Sequence, residues 1–231
     1  TNNKFNFLHD GTGGSVSLWV QPHSFTSWTP IIASTSGSSP TVGFDIIWDD
    51  AQKPYCRTID QNNQWQLTIA GSSLNTNTWY HVVCTLDSNE IKTYVDGSLV
   101  GTHSITAAVK TDESTNNLFI GSGSWTSNNH DGFIDQVLVY DTVISQSDVT
   151  ALYNSGSGTT SPSTTNLIAH YDFEQTTDLE NQTDRIVPPV TYDLRFQSTL
   201  GNAQSGAGLS FDGTNDYVSG SGLDLQNDMT I

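Results

Sequence analysis

Acidic residues, histidines and cysteines are the side chains that could carry chemistry in this 231-residue chain. In Phe44-Asp-Ile-Ile-Trp-Asp-Asp50, Asp45 and Asp49 fall on one face of a strand, because alternate residues share a face. Glycoside hydrolysis needs two carboxyl groups flanking the scissile bond. No glutamate joins this pair, however, and Asp49-Asp50 reads as the turn that ends the strand. The six histidines (His9, His23, His81, His103, His130 and His170) form no His-x-x-x-His pair, and no Gly-x-Ser-x-Gly elbow is present. His81 alternates with Trp79 and Val83, which makes it a packed or edge residue rather than a base. Nothing in these spacings calls for catalysis, and the chain is expected not to be an enzyme. Cys56 and Cys84 form either one disulfide or two buried thiols. Without a Cys-x-x-Cys or clustered histidines they make no metal site.

The elements that would position such residues are strands. Apolar residues make up 35% of the chain, enough for a buried core in one large domain or two small ones. Lys and Arg number 7 against 24 Asp and Glu, a net charge of −17 that would repel nucleic acid and anionic membrane surfaces. No apolar run is long enough to span a bilayer, and Thr1 to Asp10 has no signal-peptide pattern. The abundance of Ser, Thr, Asn and Gly suits strands and turns and points to an extracytoplasmic setting. Strands are expected at residues 16–20, 44–48, 65–69, 79–86, 91–95, 118–120 and 133–140. Asp96-Gly97 is a hairpin turn signature, since both positions need positive φ. Ser145-Gln-Ser-Asp148 is a capping box, with Ile144 and Val149 placed as a hydrophobic staple and Gly156 just past the end, so one short helix is expected near 145–154. Residues 155–165 are Gly, Ser, Thr and Pro and read as a flexible linker.

Trp79 to Gly101 (WYHVVCTLDSNEIKTYVDGSLVG), Leu118 to Ser124 (LFIGSGS) and Gly132 to Gly156 (GFIDQVLVYDTVISQSDVTALYNSG) together resemble the laminin-G-like, concanavalin A-like jelly roll. Each motif is weak alone; five of them in order over about eighty residues are specific. The resemblance implies an all-β fold: an antiparallel two-sheet jelly-roll sandwich of six or seven strands per sheet. It continues in Asn166 to Glu174 (NLIAHYDFE) and Gly208 to Ile231, which are similar to the amino-terminal portion of the same family, whereas Gly13 to Val20 resembles the strand that should follow. The expected organisation is therefore a laminin-G-like jelly roll over 1–157 that lacks its first strands, a linker over 158–165, and amino-terminal strands over 166–231. Those strands would complete either this domain or a neighbouring copy.

The same resemblance implies a structural Ca²⁺. It would be held by Asp135, by Asp172 or Glu174, and by a backbone carbonyl at or near Gly213, the oxygen ligands that a hard cation prefers. It also implies sugar recognition, in which aromatic rings stack on apolar sugar faces beside hydrogen-bonding amides and carboxylates. Trp28 and Trp125 lie in polar stretches outside the strands and are the candidate stacking rings, with Asn128 and Asp131 beside them as polar partners. Trp19, Trp48, Trp65 and Trp79 fall in strands and are expected in the core. These features imply a non-catalytic carbohydrate- or protein-binding adhesion module of a secreted or cell-surface protein, with a glycan or cell-surface protein as partner. The alternative is a structural spacer, or a subunit of a surface filament or viral appendage on a virion surface, that has no glycan ligand and assembles with neighbouring copies.

Overall fold

A computed structural model of the chain describes residues 5–35, 43–68, 71–111, 118–123, 128–159, 161–173, 200–202, 207–213 and 218–220. They form two antiparallel sheets stacked face to face, with one short helix. The larger sheet has eight strands: β1 (Gly14–Pro22), β6 (Tyr80–Leu86), β7 (Glu90–Val95), β8 (Ser98–Ser104), β10 (Asp131–Tyr140), β11 (Leu167–Tyr171), β12 (Leu200–Asn202) and β13 (Ala207–Asp212). Its order is β12-β13-β10-β1-β6-β7-β8, with β11 also on β10. The smaller sheet has six: β2 (Pro30–Thr35), β3 (Gly43–Trp48), β4 (Pro54–Ile59), β5 (Trp65–Leu67), β9 (Leu118–Ile120) and β14 (Val218–Gly220), in the order β14-β9-β2-β3-β4-β5.

Alternation builds the core. Val16, Leu18 and Val20 of β1 and Val82, Cys84 and Leu86 of β6 meet Phe44, Ile46, Trp48 and Cys56 of the facing sheet, all buried. Along β10 the inward residues are Ile134, Val137 and Val139, three apart and then two. A β-bulge accounts for the break: the β1 register slips between Ser17 and Trp19, and Gln136 takes φ 46°. Cys56 and Cys84 are disulfide-bonded across the two sheets, with Cα atoms 6.0 Å apart, which settles the thiol alternatives.

Two strips share the edge of β10 that β1 leaves free. β13 pairs with Asp131 to Ile134, and β11 pairs with Val137 to Tyr140. β14 extends the other sheet at β9. Phe211 of β13 is buried against Gly121, where an added Cβ would lie 2.3 Å from its ring.

Asp96 and Gly97 have φ 49° and 76° and turn β7 into β8, as their sequence predicts. α1 (Gln146–Tyr153) starts at the predicted capping box: Asp148 N–H donates to Ser145 Oγ at 3.2 Å, and Ser145 N–H donates to Asp148 Oδ2 at 2.9 Å. Its left-handed end is Asn154, ahead of the expected glycine. Ile144, Val149 and Leu152 pack on Val83, Leu138 and Tyr140, so α1 covers part of the outer face of the larger sheet. Residues 159, 161–163 and 165, read as part of a flexible linker, instead line a groove against α1. The groove, of about 250 Å³, is also lined by Val143, Ile144 and Leu152.

Candidate functional site

The outer face of the six-stranded sheet gathers aromatic and charged groups on β3, β4 and β5. Asp45 and Arg57 are cross-strand partners in register. Their side chains form a two-point ion pair, Nε to Oδ1 at 2.6 Å and Nη2 to Oδ2 at 2.9 Å, with Asp45 fully buried. Burial pushes the Asp45 carboxyl up, and the Arg57 charge pulls it back. The Arg57 guanidinium lies 4.0 Å from the centre of the Trp65 ring and 5.9 Å from that of Trp28. Both tryptophans reach solvent, Trp65 at 38% and Trp28 at 46% exposure. Tyr55 meets Trp28 edge to face at 6.2 Å, and burial pushes its hydroxyl well above the usual tyrosine range.

Local backbone chemistry sets each ring. Trp28 adopts φ 63°, and its N–H donates to Trp48 O at 2.9 Å, tying the β1–β2 connection to β3. Trp65 follows a turn held by Asp60, whose Oδ1 accepts from Asn62 and Gln64 N–H at 2.8 Å each. Trp65, expected in the core, is instead exposed: on β5 it shares the outward face with Arg57, one strand away. Trp48 and Trp19 are buried as expected, whereas Trp79 is only half-buried.

The predicted sugar-contacting residues partly converge. Asn128 Nδ2 donates to Ser27 O at 3.5 Å, and Ser24 Oγ donates to Asp131 Oδ2 at 2.6 Å, so the segment leading to Trp28 lies along residues 128–131. Trp125 lies outside the described residues. Sequence reasoning missed Arg57 and Trp65. A strand residue reads as buried unless the facing side of its sheet is known, and the arginine signals only through its partner Asp45.

The expected calcium ligands do not converge. Asp135 is buried in the β10 bulge, where its Oδ1 accepts from Gln136 N–H at 2.7 Å. Asp172 follows Tyr171, the partner of Val137, and so lies near it. Gly213 instead sits against Asp131, four residues away along β10, or about 13 Å at strand spacing. Glu174 lies outside the described residues, among which no group of three His, Cys, Asp or Glu side chains could hold an ion. The described members of the set do not fit one calcium site.

Residues 2–150 match the family model described as the concanavalin A-like lectin/glucanases superfamily. Among solved structures, domain 4 of AbnA, an extracellular arabinanase of Geobacillus stearothermophilus bound to arabinotriose, is 21% identical with a TM-score of 0.51. That match covers 63% of this chain and 68% of the other. The carbohydrate-binding module of a Ruminococcus gnavus sialidase bound to α2,3-sialyllactose is 14% identical with a TM-score of 0.55, covering 64% and 84%. No curated sequence matches this chain.

Proposed function

This chain belongs to the concanavalin A-like lectin/glucanase superfamily, and from that premise we propose that it is a non-catalytic module binding neutral saccharides on the outer face of its six-stranded sheet. The observation that carries this reading is the pair of exposed tryptophans, Trp28 and Trp65, held on either side of a buried Asp45–Arg57 pair. Solvent-facing indole rings on a rigid sheet offer apolar area to the C–H face of a sugar at little entropic cost. Arg57 stiffens both rings instead of serving as a free cation, because Asp45 occupies its fork. With a chain charge of −17, that favours neutral over sialylated or sulfated glycans.

Catalysis finds no support at this face. Asp45 spends both carboxylate oxygens on Arg57, so it can serve as neither nucleophile nor proton donor. A setting outside the reducing cytosol is supported by the Cys56–Cys84 disulfide. Among the described residues no helix is long and apolar enough to cross a membrane.

Glycan-array binding, followed by calorimetry on the best neutral ligand, tests the proposal. Trp28→Ala and Trp65→Ala should each weaken binding at least tenfold while the melting temperature stays within a few degrees. Undiminished affinity in the double variant would refute this placement of the site.

A further inference from the structure

The outer face of the other sheet carries a second set of rings that the site above does not use. Part of that face is covered. Tyr153 of α1 lies over Trp19 at 5.8 Å and over His81 at 6.0 Å, both with planes within 24°, and Gly158 approaches the Trp19 indole. The next rung shows a different surface. Phe133 pairs with Gln21, and Trp79 immediately precedes Tyr80, the partner of Val20, so Phe133, Gln21 and Trp79 occupy one rung across β10, β1 and the start of β6. Each is half-buried.

The Trp79 and Phe133 rings lie 6.2 Å apart with planes 24° from parallel. That separation exceeds direct face-to-face stacking, and the two nearly parallel rings together form one aromatic patch. His23 stands edge-on to Phe133 at 4.7 Å, and its Nδ1 is 3.7 Å from Asp131 Oδ1. The strip is fixed from beneath: Asn77 N–H donates to Pro22 O at 2.7 Å, and His23 N–H donates to Asp131 O at 2.8 Å. Polar residues border the rings: Gln21 lies on the strand between them, and the His23 imidazole and Asp131 carboxylate lie beyond Phe133.

We propose that Trp79, Phe133 and His23, with Gln21 and Asp131, form a second platform for a neutral saccharide. Aromatic rings bordered by hydrogen-bonding groups are the combination that binds an apolar sugar face and fixes its orientation. The Asp131 carboxylate and the acidic chain disfavour an anionic ligand here as well. The proposal takes its ligand class from the reading above and shares none of that site's ring residues. Because the two platforms lie on opposite sheets, one domain holds two glycan chains at once and cross-links a polysaccharide.

Calorimetry and precipitation assays would use four probes: tetrasaccharides of β-1,4-glucan, β-1,4-mannan, β-1,4-galactan and α-1,5-arabinan, and the parent polymers. The expected result is two equivalents of sugar per chain and precipitation of the bound polymer. One equivalent should remain in the Trp28→Ala/Trp65→Ala variant, without precipitation, and none once Trp79→Ala is added. Should Trp79→Ala unfold the chain, His23→Ala carries the same comparison. A single equivalent that vanishes in Trp28→Ala/Trp65→Ala would overturn the second platform and leave the first standing. A second equivalent that survives both Trp79→Ala and His23→Ala would also overturn it. Absence of binding to all four probes would sink both.

Discussion

Arg57 and Asp45 couple the stability of the smaller sheet to its surface. A carboxylate with no exposure is tolerable only with its partner in place. Arg57→Met should therefore destabilise the chain by about 3–5 kcal/mol, measured by urea unfolding, and Asp45→Leu/Arg57→Met should recover most of that loss. Buried histidines act over pH. Burial lowers His81 and His130 each to about 3, below an ordinary 6.5. The native state therefore keeps them neutral, and His130 Nδ1 accepts from Trp48 Nε1–H at 3.3 Å. The unfolded chain gains those protons below pH 6.5, so their contribution to stability is complete above that pH and lost progressively toward pH 3. The loss is about 1.4 kcal/mol per pH unit for each histidine. Burial raises Asp45 and Asp96, which work in the opposite direction at acid pH. His81→Asn and His130→Asn should each flatten the fall in melting temperature between pH 6.5 and 5. An unchanged slope would contradict neutral burial.

At the scale of elements, legibility followed the strength of local signals. The Asp96-Gly97 hairpin and the Ser145 capping box were readable because backbone geometry restricts residue type there. β2 and β4 were not, since Pro30 and Pro54 open them and their polar residues alternate poorly. Their identity as strands comes from pairing with β3 on either side, a long-range fact. The tail was recognisable by resemblance alone, because edge hydrogen bonds carry no signature of which sheet they join. The outward face of Trp65 is illegible in the sequence for a related reason: periodicity gives two faces and does not name the solvated one. The docking of β13 has a sharp test. Gly121 has φ +78° and leaves the Phe211 ring no room for a Cβ, so Gly121→Ala should cost 2 kcal/mol or more, at about the level of a core deletion. Phe211→Ala, which empties the same space, should cost about 3–5 kcal/mol. Hydrogen exchange along Asp131 to Ile134 would then accelerate, since β13 pairs there.

For the molecule as a whole, the two sheets are held together unequally along their edges. On the β5 and β8 side, covalent and polar links cross the sandwich. They are the Cys56–Cys84 disulfide, the hydrogen bond between the Thr68 and Thr93 hydroxyls, and the 2.8 Å contact of His103 Nε2 with Gln66 Oε1. Gln66 also donates to Asp60 at 2.9 Å, which ties this edge to the turn presenting Trp65. A self-repelling chain of charge −17 benefits from such a tether, because charge expands the unfolded state as well as straining the folded one. Closing a loop of 28 residues removes unfolded-state entropy worth about 3–4 kcal/mol. Reduction should accordingly lower the melting temperature by about 10 °C for a chain of this size. The polar links stay in place on reduction, so the native sheets, read by circular dichroism at 20 °C, should persist. Binding at the Trp28–Trp65 face should weaken little, because Arg57 and Trp65 are held by β3 and Asp60 rather than by the sulfur bridge. If reduction abolished binding while the sheets remained folded, the tether would be positioning the rings directly.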